Sequence, residues 1–304
     1  MATVGVLCAR ARVEEKAIMT ALAEAGIVSA LFPPADEPLP VGPLPTVASG
    51  RAFPVPQLVV DRHPNRQIAR AVLATCRALG VPALCAGIAG TGDRLDVASA
   101  LAASSLPRPF TALCTSEDAA LEAVAELGLP ATLLPLDLKS PAIELMDQDA
   151  AEAILEHRAV LGGTEGSLSL LQAGSPAPNS VATLIVVDGS AVTIEAVNGV
   201  TVPDQARRLA EQAADALNAD LVAITIAMDS RQPLVWDVRP VPDFRQAMLI
   251  SELTVPQAIT QAVERRLNGA LVAPPSAEQQ DWSRIRLHGH KPGQGTRRDL
   301  VISA

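Results

Sequence analysis

The residues with chemistry to offer are few and scattered. Four cysteines, Cys8, Cys76, Cys85 and Cys114, share no CxxC or ligand spacing, so they read as buried reduced thiols rather than a zinc or redox centre. His63, His157, His288 and His290 form no triad. His288-Gly289-His290 alone has a chelating spacing, and it sits in a polar, solvated stretch. Gly87, Gly90 and Gly92 lie close together, but their spacing fits no phosphate-cradling loop, and no G-x-G-x-x-G follows the first apolar run. They read as a flexible interdomain connection. One pair is better placed. Asp237 and Arg239 are two apart in a strand-like run, so their side chains leave the same face and the guanidinium lies beside the carboxylate.

Bulk composition narrows the partners. A net charge of -9 and a pI near 5.0 argue against nucleic acid, which needs a basic face, and no basic groove is expected. Tyrosine is absent and aromatics are 2%, leaving little for base stacking. Arg10, Arg12 and Glu14 interrupt the N-terminal apolar run, and no run approaches the roughly 20 apolar residues of a membrane span. The expectation is a cytoplasmic protein with no membrane or nucleic-acid partner. Its 304 residues allow two or three packed units.

The elements that must position these residues follow from periodicity and punctuation. Residues 2–9 read as a buried strand, 12–25 as a helix stopped by Gly26, 57–61 as a second strand, and 65–79 as a helix closed by Gly80. A third strand is expected at 81–85, and the proline-rich 33–56 as an irregular excursion. Farther on, Thr115-Ser116-Glu117-Asp118 caps a helix over 117–127, which Gly128 ends. Asp149 and Glu152 start another, to about Leu161. Residues 183–187 and 191–195 flank Asp188-Gly189, the signature of a hairpin with a type I′ turn. Pro203 opens a helix to Asn218, strands at 222–228 and 234–238 form a second hairpin, and Pro256 opens a last helix to about Leu267.

Several stretches carry a family resemblance. The opening Gly5-Val6-Leu7-Cys8-Ala9-Arg10-Ala11-Arg12-Val13-Glu14-Glu15-Lys16 is one, and Val59-Val60-Asp61-Arg62 with Arg70 is another. Gly92-Asp93-Arg94-Leu95 and Leu106-Pro107-Arg108-Pro109-Phe110-Thr111 follow, then Ala153-Ile154-Leu155-Glu156-His157 with Val160-Leu161-Gly162-Gly163. Between them, Glu126 to Ser140 closes a helix, turns on Gly128-Leu129-Pro130 and runs as an apolar strand into a polar loop. Over residues 3 to 268 this order resembles the ATP-grasp carboxylate–amine ligases of the RimK and LysX type. The resemblance implies an α/β fold, α+β in its second half, with an N-terminal Rossmann-like pre-ATP-grasp domain. The implied division is 1–88 for that domain, 89–163 for the central subdomain, 164–268 for the C-terminal subdomain, and 269–304 for a polar tail.

The resemblance also implies ATP, Mg²⁺ and an acyl phosphate, held by two lysines, a Gln-Glu pair, carboxylates with an asparagine, and a basic loop. Here the first lysine position is Arg94 and the second is Leu134. Gln172 remains, but Ala173 replaces the glutamate. The metal positions fall at Thr225, Asp237 and Arg239, and 195–202 lacks the long basic loop. Arg94, Lys139 and Gln172 are thus candidate nucleotide ligands and Asp237 a candidate Mg²⁺ ligand, with no residue assigned to catalysis. Each has a plainer reading: Asp237 pairs with Arg239 or Arg245, Arg94 with Asp93 or Asp96 at the surface, and Lys139 caps a loop. The expected function is a non-catalytic scaffold or partner-binding paralogue, its partner a second copy or an active ligase relative. The rivals are an active ligase, with Arg94 and Lys139 replacing the lysines, and a small-molecule sensor.

Overall fold

The computed structural model describes residues 3–33, 39, 55–138, 140–162, 168–196, 202–228, 232–245 and 255–272. Lys139, the loop residues 197–201 and the tail beyond Val272 lie outside them.

Three four-stranded sheets account for the chain up to Leu267. The first is parallel, in the order β2-β1-β3-β4: β1 (Thr3–Leu7), β2 (Val28–Phe32), β3 (Leu58–Asp61) and β4 (Ala83–Leu84). Parallel neighbours need crossover helices, and α1 (Val13–Glu24) and α2 (Arg66–Ala78) supply them. Ile18 and Leu22 of α1 pack on Val4, Leu58 and Val60, while Ala69, Val72 and Leu73 of α2 pack on Leu7 and Val59. The sheet is therefore covered on both faces, as the N-terminal Rossmann-like expectation required. Strand β2 had no counterpart in the sequence reading. It is an edge strand with only Phe32 buried.

The second sheet is antiparallel, β5-β8-β6-β7, made of Thr111–Cys114, Ser169–Ala173, Ala131–Leu134 and Ile143–Leu145 in that spatial order. Helices α5 (Glu117–Leu127) and α6 (Gln148–Leu161) cover one face through Ala120, Val124, Ala151 and Leu155. The other face, with Thr111, Thr132, Leu134 and Gln172, looks into a cleft.

The third sheet is β10-β9-β11-β12, from Ser190–Ala196, Val181–Val187, Leu221–Ala227 and Leu234–Arg239. Asp188 and Gly189 both have positive φ (48° and 81°), as the type I′ turn between β9 and β10 requires. One face packs on α7 (Asp204–Ala216) and α4 (Arg94–Ala103), through Leu209, Ala213, Val97 and Leu101. The other face shares a core with the first sheet and with α8 (Val255–Val272), whose end lies beyond the expected Leu267. The segment expected as the central subdomain from residue 89 thus divides, since α4 packs on the third sheet and the second sheet begins only at Thr111.

The glycines at 87, 90 and 92 do not form a flexible connection. Gly87 opens the short helix α3 (Gly87–Thr91) at φ +55°, and a Cβ there would lie 2.0 Å from the Leu217 carbonyl oxygen. Ile88 N–H donates to that carbonyl at 2.9 Å. Arg66 donates to the Gly90 carbonyl at 3.0 Å and pairs with Asp61 at 2.5 Å. The junction is a packed joint.

Candidate functional site

The cleft lies between the second and third sheets, and Arg94 stands at its centre. Asp93 caps α4 by accepting from the N–H groups of Leu95 and Asp96, and Asp96 answers by accepting from Asp93 N–H. Both acids are thereby engaged, so Arg94 is no surface partner of either. It is 7% exposed. Its Nη1 donates to the carbonyl oxygens of Pro135 (2.8 Å), Asp137 (2.5 Å) and Ser140 (3.0 Å), and its backbone N–H donates to Leu136 (2.8 Å). The loop after β6 is wrapped around one guanidinium. Ser140 N–H and Oγ both donate to the Asp137 carboxylate, tightening the same turn. Arg94 Nε is buried without a hydrogen bond and points toward Asp237 Oδ1 at 3.9 Å.

Asp237 faces a second guanidinium, Arg239 Nε, at 3.8 Å from Oδ2. The shared-face reading of this pair therefore holds. Arg239 is 66% exposed and Asp237 26%, so the contact is solvent-screened. The pairing of β12 with β11 places Thr225 opposite Asp237 and Val235 opposite Ile226, which leaves Trp236 as the extra residue of a bulge. The bulge brings two successive side chains, Trp236 and Asp237, to the cleft. Thr225 is occupied with Thr183, the two hydroxyls lying 3.0 Å apart.

Gln172, on β8, donates from Nε2 to the Trp236 carbonyl at 3.5 Å. The pocket around it, lined also by Arg94, Leu134, Leu138 and Trp236, has a volume of about 40 Å³. That holds a few waters, against the roughly 300–1,000 Å³ typical of ligand sites. The larger cavity beneath it, about 530 Å³, is lined by Leu134, Leu138, Thr225, Trp236, Asp237 and Arg239 among others. The structure thus brings Arg94, Gln172 and Asp237 together, while Lys139 is outside the described residues. Trp236 and Leu138 were not legible as site residues.

A third opening lies between the first and third sheets, and the acidic composition gave no hint of it. It measures about 290 Å³ and is lined by six arginines, Arg10, Arg12, Arg62, Arg66, Arg239 and Arg245, against the carboxylates Glu14, Glu15 and Asp243. Arg62 forms its floor. It pairs with Glu15 at 3.2 Å, donates to the Pro242 carbonyl at 2.6 Å and lies over the Phe244 ring. Burial pulls its pKa below the ordinary arginine value, against the opposing pull of Glu15. Cys8 lies at the rim. Burial, reinforced by the Glu15 charge, pushes its thiol up to about 11, so it is no thiolate nucleophile. The expectation of no basic groove is corrected. Leu138 lines this mouth, the Gln172 pocket and the large cavity alike.

With the geometry in view, comparison with solved structures identifies the scaffold. A RimK domain ATP-grasp protein from Sphaerobacter thermophilus is 28% identical, with a TM-score of 0.73 over 86% of this chain and 100% of that one. The chain has an ATP-grasp fold of the RimK-like kind. The ATP-grasp ligase PsnB, solved with a precursor peptide and AMPPNP, aligns at 13% identity and a TM-score of 0.65, covering 86% of this chain and 96% of PsnB. A D-alanine–D-alanine ligase from Bacillus anthracis, solved with ATP, aligns at 14% and 0.62, covering 90% of this chain and 100% of the ligase. These two share the fold alone. No protein-family model matches the chain.

ATP and Mg²⁺, implied by this fold, can be tested against the residues present. Among the described residues no group of three His, Cys, Asp or Glu could hold a metal ion. Asp237 is the single carboxylate at the implied metal position, and it stands between two cations that cannot ligate a metal. The cation at the first phosphate position is committed to carbonyls, the second position is Leu134, and the Gln172 pocket is too small for an adenine ring. The residues do not fit Mg·ATP. No helix among the described residues is long and apolar enough to cross a membrane.

Proposed function

We propose that this RimK-like ATP-grasp protein is non-catalytic and uses the ligase scaffold for binding. One observation carries the reading: the Arg94 guanidinium, at a phosphate-binding position, gives its Nη1 donors to the carbonyls of Pro135, Asp137 and Ser140 and turns Nε toward Asp237. Phosphoryl transfer depends on positioning and charge neutralisation, so a committed cation and a neutralised Asp237 leave it unsupported. Calorimetry of the full chain with ATP and MgCl₂ tests this, and the expected result is no measurable heat. A micromolar dissociation constant would instead favour the carboxylate–amine ligase.

The partner expected from the sequence, a second copy or an active ligase relative in the cytoplasm, belongs to the same proposal. Sedimentation and co-purification from the native cell test it. A strict monomer that purifies alone would leave ligand binding as the role, and the arginine-lined mouth specifically favours that second reading.

A further inference from the structure

We infer that the arginine-lined mouth is a binding site for a compact oxyanion carrying two or more negative charges, a polycarboxylate or a phosphate ester without a nucleoside. The inference deepens the proposed function and rests on its reading of a closed nucleotide pocket.

Charge is the first support. Six guanidiniums meet three lining carboxylates here, and Arg66 and Arg239 pair with Asp61 and Asp237 besides, which leaves a cationic excess of one in a chain of net charge -9. All three carboxylates are already taken. Glu15 holds Arg62, while Arg245 lies 3.4 Å from Glu14 and 2.5 Å from Asp243. Arg10 and Arg12 line the same opening and form no ion pair among the described residues. Two exposed guanidiniums with no ion pair of their own are suited to a bidentate oxyanion. The N-terminus of α1 is not what carries the site, because Glu15 already accepts from Arg12 N–H at 2.9 Å.

Shape is the second support. The floor is fixed, since Arg62 is anchored to elements 47 and 180 residues away in sequence. Leu138 stands where the mouth meets the two inner cavities, carried by the loop that Arg94 holds. It packs on the core of the third sheet. The volume of about 290 Å³ suits a short anion.

The test is calorimetry of the full chain with citrate, with pyrophosphate and with ATP, each at an ionic strength fixed by sodium chloride, because such contacts are screened by salt. Citrate or pyrophosphate is expected to bind, and the one that binds tells carboxylate from phosphate. Arg10→Gln/Arg12→Gln, both surface changes, should weaken that binding about tenfold or more with an unchanged melting temperature. Failure of both anions to bind, or equal binding by the double variant, would overturn the site. Tight ATP binding that ignores the double variant would instead overturn the closed pocket, leaving the mouth to be judged on the other two titrations.

Discussion

Two arginine environments in this molecule carry opposite lessons. At the cleft, Arg94 is buried and its Nη1 donors go to the loop after β6, so the charge acts as a structural pin. At the mouth, Arg10 and Arg12 are exposed and carry no partner charge among the described residues. A guanidinium's identity therefore says little about what it binds. What decides is whether the fold has already used its hydrogen bonds.

The comparison can be broken most forcefully at the floor of the mouth. Arg62→Met would leave Glu15 buried and unpaired, and a loss of about 3–5 kcal/mol is expected from urea unfolding. A loss below about 1 kcal/mol would show that water reaches the carboxylate. Next is Arg94→Ala, expected to cost about 2–4 kcal/mol as carbonyls lose a charged donor. Arg94→Lys should recover part of it, since one ammonium reaches fewer acceptors. A neutral Arg94→Ala would mean the loop holds itself.

A smaller effect concerns pH. Burial would raise the Asp188 carboxyl, but hydrogen bonds from Arg265 and Arg266 outweigh it and hold the pKa below the usual carboxylate range. A depressed folded-state pKa adds stability above the unfolded value that disappears as pH falls through the folded one. Melting temperature should drop between neutral and acid pH less steeply in Asp188→Asn than in the unaltered chain. Equal slopes would assign the acid sensitivity to other groups. The smallest effect is at Arg239→Asn, where exposure limits the pair with Asp237 to under about 1 kcal/mol. A larger loss would mean that Arg239 carries weight in the cleft comparable to Arg94.

Much of the scaffold was legible because its signals are local. Helix 117–127 agrees residue for residue with α5, and Asp188-Gly189 announced its turn. Edge strand β2 was not, because three of its five residues are exposed and no period of two survives. The short strands β7 and β8 likewise lack a pattern long enough to separate them from loop or helix. The site was legible only at positions the family resemblance pointed to. Trp236 reaches the cleft through a bulge, which shifts the strand's period by one residue and hides it from any alternation rule. Leu138 depends on a loop shaped by an arginine 44 positions earlier, and the mouth assembles residues from both ends of the chain. Tertiary arrangements of that kind leave no periodic trace.

The close approach of Gly87 to Leu217 has a mechanical consequence. With Cβ-free backbone seated against the end of α7, and a core shared through α8, the first and third sheets are locked together by packing. The second sheet has its own separate core, and the loop held by Arg94 ties it to α4. Any gape of the cleft therefore has to strain or break those Arg94 contacts.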